Sequence, residues 1–146
     1  MPFGVRAAAE ADAEAIAALS GVLGYPPDVG AVRATLGKIL GRDDHRVFVA
    51  GAPGEEICGW LHAHSCHVLE SGFRVEIAGL VVSDRMRRLG VGRGLVAHAE
   101  AWAREIGATT VVVRSNARRV ESHIFYPSLG YEAYKTQVVY RKRPAD

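Results

Sequence analysis

Ile77-Ala-Gly-Leu-Val-Val-Ser-Asp-Arg-Met-Arg-Arg-Leu-Gly-Val-Gly-Arg-Gly-Leu-Val96 decides how this chain is read. It opens as an apolar, β-branched run, the pattern of a buried strand. A short loop carrying Arg85, Arg87 and Arg88 follows, and then Gly90, Gly92 and Gly94. From there Leu95, Ala99, Trp102, Ala103 and Ile106 recur at helical spacing, with Arg93, Glu100 and Arg104 off that face. The glycines therefore stand where a strand hands over to a helix. The first amides of a helix have no internal partner, and the peptide dipoles add partial positive charge there. Glycine lets a phosphate approach such a backbone, and arginines add charge-assisted hydrogen bonds. The stretch suits a pyrophosphate.

Two familiar pyrophosphate loops do not fit. A Walker loop needs Gly-Lys-Ser/Thr after its first glycine, and no Lys, Ser or Thr follows the glycines here. A dinucleotide fingerprint needs G-x-G-x-x-G directly after a strand, whereas this chain has G-x-G-x-G after an arginine-rich loop. What stays is Arg87-x-x-Gly90-x-Gly92. It resembles the Arg/Gln-x-x-Gly-x-Gly/Ala acyl-CoA signature of the GNAT superfamily of N-acetyltransferases.

A second segment extends the resemblance. Ser115-Asn116-Ala-Arg118-Arg119-Val-Glu-Ser122-His123-Ile-Phe125-Tyr126-Pro-Ser-Leu-Gly130-Tyr131 is similar to the family's Asn…Ala/Ser-His-x-Phe-Tyr-x-x-x-Gly-Phe/Tyr run. Leu23-Gly-Tyr-Pro26 and Ala99-Glu-x-Trp-Ala103 resemble one bacterial branch of the superfamily.

Composition sets the outer bounds. A chain of 146 residues suits one domain, 1–146, with one core. With 49% hydrophobic and 23% charged residues it reads as an ordinary globular protein. A net charge of +2 is too small to argue for nucleic acid. The basic residues cluster at 85–93, 118–119 and 141–143. The first two clusters flank the phosphate stretch, and the third reads as solvated surface. Cys58 and Cys66 fall in one predicted strand, roughly 26 Å apart at strand rise, which is beyond disulfide reach. A reducing compartment fits. Glu10, Asp12 and Glu14 rule out a signal-peptide core at the start, and no apolar run reaches membrane-spanning length. The expectation is a cytoplasmic protein with neither a membrane nor a nucleic-acid partner.

The element order follows from periodicity and breakers. A strand is expected over 3–7. Next comes a helix capped by Asp12 with Ile16, Leu19 and Leu23 on one face, then a second capped by Asp28 with Val32, Leu36 and Ile39. Strands over 46–50 and 57–66 form a hairpin about Pro53-Gly54, and a strand over 73–82 leads into the glycine loop and its helix. Gly107 stops that helix. A strand over 110–114, a helix over 120–129 and closing strands over 131–134 and 137–142 complete the chain. The expected fold class is α/β (α+β), a mixed sheet of about seven strands in the order β-α-α-β-β-β-α-β-α-β-β. The resemblance implies the same order, that of the GNAT acyl-CoA fold.

The resemblance also implies a chemistry: acetyl transfer from acetyl-CoA to a primary amine, directly within a ternary complex. Arg87, Arg88, Leu89, Gly90, Val91, Gly92 and Arg93 would hold the pyrophosphate. The backbone of Leu80, Val81 and Val82 would pair with the pantetheine arm, as a peptide adds to an open sheet edge. Asn116 would bond the pantetheine amides, and Ser122 and Phe125 would join the cofactor set. A backbone N–H near Val82 would polarise the carbonyl. Glu76 is the candidate base. It interrupts an apolar strand, where burial would raise its pKa toward the working range of a base. Its spacing from Arg87 matches that in histone-type members. The competing role is an ion pair with Arg74 or with a basic group on a neighbouring strand. Tyr126 is the candidate acid, since a phenol near pKa 10 can return a proton to a thiolate whose acid lies near about 8.5. Its competing role is a core aromatic beside Phe125, and Pro127 is an unusual successor that disfavours helical geometry before it.

His62, His64 and Cys66 share a strand face, but no second pair of ligands completes a metal site, and no metal is expected. Two rivals stand beside the enzyme: a non-catalytic module that senses acyl-CoA, and a nucleotide-binding protein. The acceptor, a small-molecule or peptide amine, has no diagnostic motif, although Glu70 and Glu76 hint at a cationic amine. A homodimer accords with the resemblance.

Overall fold

The computed structural model describes residues 3–24, 26, 28–86, 89–115 and 120–145, with the backbone alone for Val22, Leu23 and Arg85. The chain divides into two compact units, Met1–Arg114 and Ser115–Asp146. The first unit contains β1 (Gly4–Ala7), α1 (Ala13–Leu19), α2 (Val29–Ile39), β2 (His45–Gly51), β3 (Ile57–Val68), β4 (Gly72–Val82), α3 (Val91–Ile106) and β5 (Thr110–Val113). The second contains α4 (Val120–Ser128).

The sheet runs β1-β2-β3-β4-β5 in space. The first three pairings are antiparallel, and β4–β5 is parallel across the α3 crossover. Side chains alternate between faces along a strand, so the register sorts them. On one face Val47 and Val49 pack with Ile16, Leu36, Ala13 and Ala8, and with Trp60, Val32 and Ile39 at the rim. This is the α1/α2 side of the core. The other face takes α3, whose Val91, Leu95, Val96, Ala99, Trp102 and Ala103 are buried. Phe48 meets His98 edge-on, and the Arg46 guanidinium lies 4.9 Å over the Trp102 ring. Gly59 makes this approach feasible. A Cβ there would stand 3.2 Å from Leu95 Cδ1 and from Val91 Cγ1.

Two expectations change. Asp12 does not cap α1 with its side chain. Its carboxylate accepts from the Ala9 N–H at 2.8 Å and from both terminal nitrogens of Arg6, which tie it back to β1. Asp28 does cap α2, accepting from the Ala31 N–H. The sheet has five strands among the described residues, not about seven. The stretches 131–134 and 137–142 form no strand. Strand propensity is largely a fit to a half-buried pleated surface, and Val138, Val139 and Tyr140 stay 76%, 82% and 88% exposed. The β-branched pattern there has no surface to bury against.

One detail of β4 positions the site. Its register with β3 slips between His62 and Ala63, leaving Ala78 as an extra residue. A β-bulge bends its strand and increases the local twist. The last β4 residue paired to β5 is Ile77, opposite Val113. The two parallel strands therefore part at the bulge.

Candidate active site

The start of α3 is an uncapped helix N-terminus. Gly90 is the N-cap with φ 87°, a left-handed conformation that costs a side-chain-bearing residue, and no side chain caps the helix. Gly90 itself has no side chain to offer the first amides, on Val91, Gly92 and Arg93. Val91 is buried and anchors the turn, while Leu89 and Arg93 are exposed. These amides open a helix of sixteen residues whose peptide dipoles are aligned. Arg87 and Arg88 lie outside the described residues.

Beside this turn runs the open half of β4. Leu80, Val81 and Val82 pair with Leu61, Trp60 and Gly59 on one side, and no β5 residue pairs with them on the other. Among the described residues no strand pairs with their main-chain groups on that side, an edge that an extended amide-bearing chain can satisfy. The residue before them, Gly79, accommodates the Trp60 indole. A Cβ there would sit 2.8 Å from Trp60 Cη2.

At the root of the fork stands Glu76. Its Oε1 accepts from Arg74 Nη2 at 2.6 Å and from Arg114 Nη1 at 2.7 Å. Its Oε2 lies 3.4 Å from His64 Nε2. The glutamate and Arg74 side chains are 15% and 11% exposed, whereas Arg114 is 52% exposed. Desolvation pushes the carboxyl upward, but the hydrogen bond and charge of Arg114, with the charges of Arg74 and His64, outweigh it and hold it below the usual range. This reverses the expectation that burial would raise it. The ion pair with Arg74 read from the sequence as a competing role is formed, and it leaves Oε2 clear of both arginines.

Two further imidazoles complete the cluster. His45 Nδ1 is 2.9 Å from His62 Nε2, the two rings stack at 5.1 Å, and His45 also lies 5.5 Å from the His64 ring. Burial first, then the neighbouring imidazoles, drives His62 down to about 4. Burial also lowers His45. Among the described residues no group of three or more His, Cys, Asp or Glu side chains is arranged to hold a metal ion.

The second unit is described by itself. α4 continues through Pro127 and closes at Ser128, so the proline does not break it before Tyr126. The ring loses one backbone donor close to the helix end, where few bonds depend on it. Tyr126 packs edge-on against Phe125 at 5.0 Å and Tyr131 at 5.9 Å. Burial pushes its phenol up to about 12. Ser122 lies in the same helix, and Asn116 lies outside the described residues.

Sequence reading overlooked Arg114 and His45 as members of the site. Arg114 looks like the last residue of a strand, and His45 like loop. Only register brings them to Glu76 and His62. Period two already put His62 and His64 on one face, so a weak signal existed for half of the cluster.

An uncapped helix start thus stands beside a forked pair of parallel strands. The acetyltransferase (GNAT) family model matches residues 7–131, and the chain belongs to that family. It is 30% identical over 146 residues to the aminoglycoside N(6')-acetyltransferase type 1 of Stenotrophomonas maltophilia, covering 97% of this chain and 94% of that one. It is 35% identical over 78 residues to the aminoalkylphosphonate N-acetyltransferase of Salmonella typhimurium, covering 53% and 51%. Its fold matches the aminoglycoside acetyltransferase AAC(6')-Iy solved with a CoA-containing bisubstrate analogue, with a TM-score of 0.86 at 23% identity, covering 98% of this chain and 99% of that one. The chain is an acyltransferase of the N-acetyltransferase type. Among the described residues no helix is long and apolar enough to cross a membrane.

Proposed function

We propose that the protein transfers an acetyl group from acetyl-CoA to a primary amine of a small-molecule acceptor, directly within one ternary complex. The observation that carries this reading is the adjacency of the uncapped α3 start to the free edge at Leu80, Val81 and Val82. In this reading the amides of Val91, Gly92 and Arg93 receive the pyrophosphate, with Arg87, Arg88, Leu89 and Gly90 completing the loop. The edge takes the pantetheine arm, with Asn116, Ser122 and Phe125 assigned by resemblance.

Glu76 Oε2 takes the proton from the attacking amine. The C–N bond forms, the C–S bond breaks, and Tyr126 returns a proton to the departing thiolate. A carboxylate held low is ionised at neutral pH and a phenol pushed up to about 12 is protonated there, so each is in the right form for its role, but the shifts weaken both as base and acid and the assignment rests on position. Burial raises the pKa of Cys58, which disfavours that thiol as the nucleophile of a covalent relay.

The relatives supply the first acceptors to try: aminoglycosides and aminoalkylphosphonates. The test has two readouts. Calorimetry with CoA, NADPH and ATP is expected to show heat for CoA alone, and release of free CoA from acetyl-CoA is expected to depend on an added amine. A flat CoA trace overturns the reading. Binding without amine-dependent release favours a sensor instead.

A further inference from the structure

Strands β2, β3, β4 and β5 contain a single acidic residue, Glu76. Register places it on the same sheet face as His45 of β2, His62, His64 and Cys66 of β3, Arg74 of β4, Thr110 and Val112 of β5, and Arg114 just beyond β5. One carboxylate is shared by two guanidinium groups, so this cluster of described residues holds two positive charges to one negative. The His45 and His62 imidazoles lie 2.9 Å apart and burial favours their neutral forms, so they neither add to that charge nor cancel it. Arg74 is enclosed, with Nη1 on Ser71 and Nη2 on Glu76. Arg114 is different. It gives Nη1 to Glu76 and leaves half its side chain in solvent, at the point where β4 and β5 part. A guanidinium presents several donors in a planar fork that matches carboxylate and phosphate oxygens.

We propose that the acceptor is an amine that also carries an anionic group, a carboxylate, phosphate or phosphonate, and that Arg114 at the β4/β5 fork receives that group. This rests on the transferase reading above and narrows its acceptor. It also reverses the hint of a cationic acceptor drawn from Glu70 and Glu76. The charge of Glu76 is already matched twice over, and Glu70 lies at the exposed tip of the β3–β4 hairpin. A polycation would bring several ammonium groups against a face with positive charge in excess, where like charges repel. An anion at Arg114 instead leaves the amine of the same molecule within reach of Glu76 Oε2.

The experiment is a free-CoA assay on the full chain with acetyl-CoA and matched acceptors: 2-aminoethylphosphonate against ethylamine, β-alanine against its amide, and kanamycin and spermidine as polycations. The expected result is a KM lower by about tenfold to a hundredfold for each anionic member of a pair, the scale of one hydrogen bond to a charged group. Arg114→Gln is expected to erase that difference while leaving the KM for acetyl-CoA unchanged, and Arg114→Lys to restore part of it. A preference for kanamycin or spermidine overturns the proposal and leaves the transferase reading standing. Equal KM values within each pair overturn it as well. Absence of turnover with every amine overturns the transferase reading and the proposal together. The wild-type comparison keeps its force even where a variant folds poorly.

Discussion

Along residues 74–77, β4 has a strand on either side, whereas along 78–82 it has only β3. The first half is crowded with charge, as Arg74, Glu76, His64 and Arg114 meet there. The second half is apolar, and what it offers is main chain. The difference teaches how one strand can serve two purposes. Where it is paired on both sides its backbone is spent, so only side chains are left to act. Where it is paired on one side the backbone is the active surface, and side chains such as the buried Val81 are free to pack. The bulge at Ala78 is the boundary between the two regimes.

The sharpest way to break this comparison is Glu76→Gln. If the paired half supplies the chemistry, kcat falls by about a hundredfold to ten-thousandfold, the range of positioned proton transfer, and the CoA affinity measured by calorimetry does not move. Unchanged kcat would make Glu76 a strut for Arg74 and Arg114. The pH profile sharpens it further. Because Glu76 is held below the ordinary carboxylate range, the acid limb of kcat/KM is expected below that range as well.

Gly79→Ala tests the boundary. The added Cβ would meet Trp60 Cη2 at 2.8 Å and Cζ3 at 2.9 Å, both atoms of a rigid ring. Overpacking of this kind costs about 1–3 kcal/mol, readable in chemical denaturation. An unshifted midpoint would mean that the indole swings aside at no cost.

The smallest effect concerns the histidines behind the charged half. His62 is held at about 4 when folded, against about 6.5 for a free imidazole. A depressed group favours the folded state fully above its unfolded pKa. That contribution is therefore complete above about pH 6.5 and is lost as the pH falls toward 4. His62→Gln is expected to flatten the dependence of the melting temperature on pH across that window. The same slope in the variant would assign it to other groups.

Much of the fold could be read from residues alone. Apolar, β-branched runs bounded by turn residues found β2, β3 and β4, helical spacing found α3, and Gly107 stops α3 with φ 80°. Asp28 caps α2 as read. The failures share one cause. At 131–142 a β-branched run has the local character of strands but no surface to bury against, and Asp12 has the local character of a cap but finds the Arg6 guanidinium. Local preference is weaker than what the neighbours provide. The site divides in the same way. Glu76 announced itself as a carboxylate inside an apolar strand. Arg114 did not, because nothing in its own segment says that it stands beside a residue thirty-eight positions earlier.

By itself the amino-acid sequence determined the strand–glycine loop–helix unit, because the open amides of a helix start and the freedom of Gly90 are properties of adjacent residues. It also determined that a carboxylate would lie in β4. The tertiary structure alone decided what that carboxylate is. Register across three strands set His64, Arg74 and Arg114 around Glu76, and a one-residue bulge parted β4 from β5 immediately beyond it. Electrostatics acts through space, so the protonation state of Glu76 and the charge left on its face exist only once distant segments have been brought within a few ångströms of one another.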